Sequence, residues 1–320
     1  MNRYSAIVYC ALVLFPQIAG AQAQFPSKPV RIIVPFAPGG GTDAFARTVG
    51  VKLAATWGQQ VIVDNRPGAQ GNIGTAAGAR AAADGHTLTL AYVGTLCINP
   101  HLYRNPGFDA LKDFAAVTRG TLESCVLVVH PSLPVRSVKE LVALAKRRPG
   151  ELSFASSASG TQLVGELFKL ATGTDILHVP YKGAGPAVVD LLAGNVQMMY
   201  SNPTAAVPHV KTGRLRGLLV TGQKRLDTLP DIPTAVEVGI RELDVYGWYG
   251  VVAPAGTPGT IISRLNADIV ATLNAAETRQ RMRSLGQELS PSTAEQFREQ
   301  IRKEFALWGK VVRAAGVKVD

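Results

Sequence analysis

Val30-Arg-Ile-Ile-Val-Pro35-Phe36-Ala-Pro-Gly39-Gly40-Gly41-Thr42-Asp43 is the stretch that decides the fold. A β-branched run of strand length stops at a proline, crosses three consecutive glycines and opens a helix at Thr42 and Asp43. Outward from it come a strand VIVDN at 61–65, a small-residue helical stretch from Asn72 to Ala83, and a strand TLTLAYV from Thr87. Strands alternating with helices imply βαβ units and a mainly parallel sheet, so the fold class is α/β.

A second series follows CVLVVHP at 125–131. Ser137-Val-Lys-Glu140 reads as a capping box opening a helix to about Arg147. After it come strand LSFAS, a helix from about Thr161 to Ala171, strand ILHVPY, helix PAVVDLLAG, and strands VQMMYS and LRGLLVTG. The chain then returns through YGWYGVVAP at 246–254 to a helix after Thr257-Pro258. A last helix, from a capping box at Ser292 to Glu295, ends near Gly316. No Gly/Ser or Pro-rich linker separates the two series, so continuous strands near Val126 and Gly222 are expected to act as hinges. The expected division is residues 1–23 as a leader, 24–126 with 223–320 as domain 1, and 127–222 as domain 2.

The leader is read from Arg3, an apolar run from about Ala6 to Ile18 and the small-residue pattern Ala21-Gln-Ala23, which together describe a cleaved secretory signal peptide. Pro16 and Gln17 interrupt the run well short of the roughly 20 residues a bilayer-spanning helix needs. A periplasmic location is expected. The net charge of +10 includes Arg3, leaving +9 after cleavage, and a positive surplus steers anions toward the protein. An aromatic share of only 7% offers no stacking platform for bases, so nucleic acid is not an expected partner. Cys97 and Cys125 remain as an even pair in an oxidising compartment, compatible with a disulfide or with two buried free thiols. The histidines at 86, 101, 130, 178 and 209 have no short ligand spacing, and neither metal nor cofactor is expected.

Three turns at strand ends carry the candidate site: Pro35 to Asp43, Ser156 to Thr161, and Tyr181-Lys182-Gly183-Ala184-Gly185-Pro186. Glycines let backbone N–H groups approach an anion, and a helix N-terminus adds unpaired donors and partial positive charge. Ligands of open α/β sheets bind at the carboxyl ends of strands, where all three turns lie. Gly39-x-Gly41-x-x-Ala44, with Asp64 ending the next strand, also matches a dinucleotide fingerprint. Export from the cytoplasm and the lack of a recognisable hydride-transfer site weigh against it. A hydrolase is disfavoured because there is no G-x-S-x-G elbow, no histidine close in sequence to the serines at 156–159 and no close pair of carboxylates.

With these turns located, the chain resembles the Bug family, the extracytoplasmic receptors of tripartite tricarboxylate transporters. The resemblance is carried by FPSKPVRIIVPFAPGGGTDAFAR, VIVDNRPGAQGNIGT, DGHTL, INPHLY, VLVVHPSLPVRSVKEL, PYKGAGPAVVDLLAG and VAPAGTP, almost end to end. It implies a two-lobe Venus-flytrap binding protein, not an enzyme, that closes on a small carboxylate, serves integral-membrane permease subunits and is a monomer. It also implies ligand contacts from Phe36, Gly40, Gly41, Thr42 and Asp43 in one lobe and from Ser159, Thr161, Lys182, Gly183 and Gly185 in the other. Ala69, Gln70, Gly94, Thr95, Ser201 and Asn202 would complete the wall. The chain departs from the family where relatives show PGAGG against Gly68-Ala-Gln70-Gly71, and an Asp-Asn pair against Ser201-Asn202. Without a carboxylate at position 201 an amino-acid ligand loses its ammonium partner, which favours a non-amino di- or tricarboxylate or an aromatic acid.

Overall fold

A computed structural model describes residues 25–315. The expected leader and the end of the last helix at Gly316 lie outside the described residues. The first sheet forms from β1 (Val30–Val34), β2 (Val61–Asn65), β3 (Thr87–Tyr92), β4 (Phe114–Arg119) and a returning strand, Tyr249–Pro254, in the order β2-β1-β3-returning strand-β4. Helix α1 (Gly41–Trp57) joins β1 to β2, α2 (Asn72–Ala79) joins β2 to β3, and the short α3 (Asn99–Leu102) follows β3. A two-residue strand β5 (Thr121–Leu122) then leads the chain away.

The second sheet contains β6 (Val126–Val129), β7 (Ser153–Ser156), β8 (Leu177–Pro180), β9 (Met198–Ser201) and β10 (Arg216–Val220), in the order β10-β6-β9-β7-β8. Its helices are α4 (Val138–Arg147), α5 (Ser159–Thr172), α6 (Ala184–Leu192) and α7 (Pro203–Lys211). The chain re-enters the first sheet as β11 (Tyr249–Pro254), followed by α8 (Gly259–Asn274), α9 (Ala276–Ser284), β12 (Glu288–Leu289), which pairs with β5, and α10 (Ala294–Ala315).

The expected α/β two-lobe architecture is present, but each sheet is mixed. β1 pairs in parallel with β2 and β3, and β7 with β8 and β9, whereas β11 runs antiparallel to β3 and β4, and β6 antiparallel to β9 and β10. The antiparallel members are the strands that carry the chain between lobes, which therefore enter from the opposite side to the βαβ strands. Apolar residues of β1, β3 and β11 form one core with Phe45, Phe297 and Trp308, and the second sheet is covered on both faces. Each such Leu, Ile or Phe, fully buried, contributes about 1.5–3 kcal/mol relative to exposure.

Three local readings differ from the structure. The Ser137 cap forms, its hydroxyl accepting from the Glu140 N–H at 3.2 Å. The last helix is capped one residue later than expected: Thr293 Oγ1 accepts from Gln296 N–H and Gln296 returns a bond to Thr293 N–H, while Ser292 Oγ accepts from Arg119 N–H. Helix α7, absent from the sequence reading, occupies the span between the two last strands of the second lobe. Pro203 starts it and Asn202 caps it, but Pro208 in its interior hides its helical pattern. Leu229, Ile232, Ala235, Ile240 and Leu243, grouped by sequence with the first lobe, are buried against the second sheet.

Candidate functional site

The two lobes meet around a small cavity. Phe36, Gly40 and Thr42 line it from the β1–α1 loop, Ser157, Ala158 and Thr161 from the start of α5, Gly183 and Ala184 from the start of α6, and Asn202 from the start of α7. Tyr92, Glu123, Ser124, Cys125, Gly247 and Tyr249 form the remaining wall, where the chain crosses between lobes. Among the described residues, no lysine or arginine lines the cavity.

Helix ends provide the positive potential instead. α1 starts on Gly40, α5 on Ala158 and α6 on Gly183, none of which offers a side-chain oxygen to the first turn. Their leading N–H groups, which have no intrahelical partner in any α-helix, receive no capping bond from the N-cap side chain either. Away from the cavity, α4 is capped by Ser137. Thr161 shapes the α5 turn, its Oγ1 accepting from Ser157 N–H at 3.0 Å and Ala158 N–H at 3.2 Å. Three uncapped helix starts facing one cavity make a strong environment for an anion.

Asp43 holds the glycine loop without lining the cavity. Its carboxylate accepts from Gly39 N–H at 3.2 Å, from Arg47 Nε at 3.0 Å and from Asn65 Nδ2 at 3.1 Å. Burial opposes its ionisation, but the Arg47, Gly39 and Asn65 bonds outweigh burial and hold its pKa below the ordinary aspartate value. Gly41 is equally constrained, because a Cβ there would lie 2.6 Å from Tyr249 Oη and 2.9 Å from Gln287 Nε2.

The lobes are closed on one another. Ala37 N–H donates to Lys182 O at 3.2 Å, and a Cβ at Gly183 would lie 2.9 Å from Ala37 N. Gln70 Nε2 donates to Gln162 Oε1 at 2.7 Å. Gln287 Nε2 donates to Gly41 O in one lobe and Thr204 Oγ1 in the other, at 2.9 and 2.8 Å.

Of the sequence-derived residues, Phe36, Gly40, Thr42, Thr161, Gly183 and Asn202 line the cavity. Lys182 is exposed, so it contributes its carbonyl to the lobe contact. Gly185 approaches Pro38 O across the same seam, and Gln70 forms the latch just described, with Ala69 beside it in the left-handed region at φ 45°. Gly94 leaves room for Ser159 Oγ, which is buried, and Thr95 Oγ1 donates to Tyr92 O at 3.0 Å. Ser201 Oγ turns to Asn202 O at 3.1 Å. Of the two alternatives that the sequence leaves open for the cysteines, the structure has free thiols at both Cys97 and Cys125. Cys97 packs in the first-lobe core, its thiol directed at Ile301 O, whereas Cys125 borders the cavity.

Sequence reasoning missed the crossing-strand wall and Gln287, because these come from segments far apart in the chain. Its one local signal was Glu123, a lone carboxyl abutting the apolar run from Val126. The structure also joins Ser156 Oγ to His178 Nε2 at 2.6 Å across β7 and β8. Ser156 is 1% exposed and does not line the cavity, so this pair has no access to a bound molecule.

A family model for the tripartite tricarboxylate transporter family receptor matches residues 45–317. The chain belongs to that family. This receptor is 40% identical over 298 residues to protein BugT of Bordetella pertussis, covering 92% of this chain and 91% of BugT. Among solved structures, Rpa4515 of R. palustris with adipate is 36% identical with a TM-score of 0.89, over 92% of this chain and 99% of that one. MatC of Rhodopseudomonas palustris with bound malate is 30% identical with a TM-score of 0.86, over 90% and 100%. The family is one of solute-binding receptors, not of enzymes.

Proposed function

We propose that this receptor captures a small carboxylate in the cleft between its lobes, outside the cytoplasmic membrane, and presents it to the permease subunits of a tripartite transporter. The observation that carries this reading is the convergence of the α1, α5 and α6 N-termini on one cavity that, among the described residues, no basic side chain lines. Backbone donors of this kind bind an oxyanion through charge-assisted hydrogen bonds. Relatives solved with adipate and malate support the ligand class. Among the described residues no helix is long and apolar enough to cross a membrane.

Closure pivots on the two crossing segments, which pair through Glu123 N–H to Gly247 O at 2.8 Å and Gly247 N–H to Glu123 O at 2.7 Å. We place the second hinge there rather than at Gly222, since residues 229–243 pack on the second lobe. The test is calorimetric titration with a carboxylate panel, including malate, adipate, citrate and benzoate, alongside small-angle scattering. Saturable heat with compaction is expected. Silence across the panel, or chemical conversion of a bound acid, would remove the assignment.

A further inference from the structure

Among the described residues, Glu123 is the one ionisable carboxyl in the cavity wall. It stands on the first crossing segment, bonded through its backbone to Gly247 on the second, so it belongs to the hinge and the ligand site at once. It is 5% exposed, and its Oε1 is buried with no hydrogen-bond partner. A buried carboxyl oxygen left unpaired is costly unless something bound in the cavity completes it.

The groups facing it cannot neutralise it. β3 presents Tyr92, β11 presents Tyr249 and the start of β6 presents Cys125; the opposite walls present Thr42, Ser157, Thr161, Asn202 and backbone. Both phenols and the thiol are pushed upward, by burial first and by neighbouring acidic groups second, so none of them titrates where a carboxyl does. An anion closed into the same cavity as an ionised Glu123 would face an unscreened like charge.

We propose that Glu123 is a specificity-determining residue that enters the complex as a neutral carboxylic acid and donates its proton as a hydrogen bond to an oxygen of the bound carboxylate, so that ligand capture takes up a proton. The proposal rests on the reading of this cavity as a carboxylate site. The O–H bond of Glu123 stays intact: the proton comes from solvent as the lobes close, and no bond of the ligand changes. The direction of titration agrees, since burial raises the Glu123 carboxyl to about 8 in the closed form, against a smaller opposing effect of the Tyr249 hydroxyl. A group raised in the closed state favours closure below the open-state value, and that contribution is lost as pH rises through the closed-state value.

The experiment uses the mature chain and the best binder of the carboxylate panel, titrated from about pH 6 to about pH 8, with the ligand's own ionisation in free solution subtracted from both the proton count and the slope. Each titration is repeated in two buffers of different ionisation enthalpy. The wild type is expected to take up about one proton per ligand near neutrality, with affinity falling up to about tenfold per pH unit. Glu123→Gln, neutral at every pH, should take up no proton, lose the slope and bind at least as tightly as wild type, by a margin that widens as pH rises. Wild-type binding without proton uptake would overturn the proposal while leaving the carboxylate reading intact. So would a Glu123→Gln variant that keeps the slope, or one that loses only ligands bearing an ammonium group, since Glu123 would then act as an anion. No binding by any panel member at any pH would defeat the carboxylate reading itself.

Discussion

The side-chain amide of Gln70 donates to the side-chain oxygen of Gln162 at 2.7 Å, tying the loop after β2 to helix α5 across the mouth of the cleft. Gln70 holds a left-handed backbone at φ 52° to make this contact, a conformation that costs a non-glycine residue free energy. A bond that exists only between closed lobes stabilises the closed state alone, and a ligand draws on that difference. Gln162→Ala should weaken binding about two- to tenfold, the equivalent of one net hydrogen bond, with little change in melting temperature. Calorimetry on Gln70→Ala, Gln162→Ala and the double variant checks it: the double should be no weaker than either single.

Gly41→Ala places a methyl against Tyr249 Oη and Gln287 Nε2, and Tyr249 is held in the crossing-strand wall. Overpacking of this kind costs about 1–3 kcal/mol. The start of α1 should shift, lowering affinity by at least about tenfold, with a melting point lower by only a few degrees. Titration and thermal denaturation of the same sample would separate the two effects.

Asp43→Ala removes the anchor of the glycine loop and leaves Gly39 N–H without its side-chain acceptor, while Asn65 keeps its bond to Phe36 O. The expected loss is about 1–3 kcal/mol of stability near neutral pH. Because the folded pKa is depressed, this contribution is present above the unfolded-state value and disappears as pH falls through the folded value. Urea denaturation should show a constant gap between wild type and variant above about pH 5 that narrows below about pH 4. A gap independent of pH would mean that the charge of Asp43 is not what holds the loop.

Cys97 and Cys125 are free, so a reductant should leave the melting temperature unchanged. Burial, and Glu123 after it, raise the Cys125 thiol to about 12, which keeps its reactive thiolate scarce at neutral pH. Labelling by a thiol reagent under native conditions should therefore be slow at both positions and become rapid in denaturant. A fall in melting temperature on reduction would point to a bridge.

The α/β class, the two series of elements and the glycine turn before α1 were legible because each is a local pattern: β-branched runs, a helix start, glycines at a strand end. Thr161 and Gly183 were legible for the same reason, lying in turns whose composition announces a helix N-terminus. The α7 helix was not, since Pro208 breaks the helical pattern that Asn202 caps. Asp43 and Lys182 were legible as residues near the site but not in their roles. Whether a carboxylate faces a ligand or its own loop, and whether a lysine offers its ammonium or its carbonyl, depends on neighbours from other segments.

The sequence by itself determined that this chain folds as two α/β units with anion-suited turns at their strand ends, because periodicity, capping and glycine placement act within a few residues. Only the tertiary structure decided that Glu123, Tyr92 and Tyr249 share a wall, that Gln287 spans both lobes, and that the cysteines stay apart. Those facts arise from crossing strands that bring residues more than a hundred positions apart into hydrogen-bonding range, as the pairing of Glu123 with Gly247 shows. Contacts of that kind are fixed by the packing of whole sheets, and no local pattern in the chain encodes them.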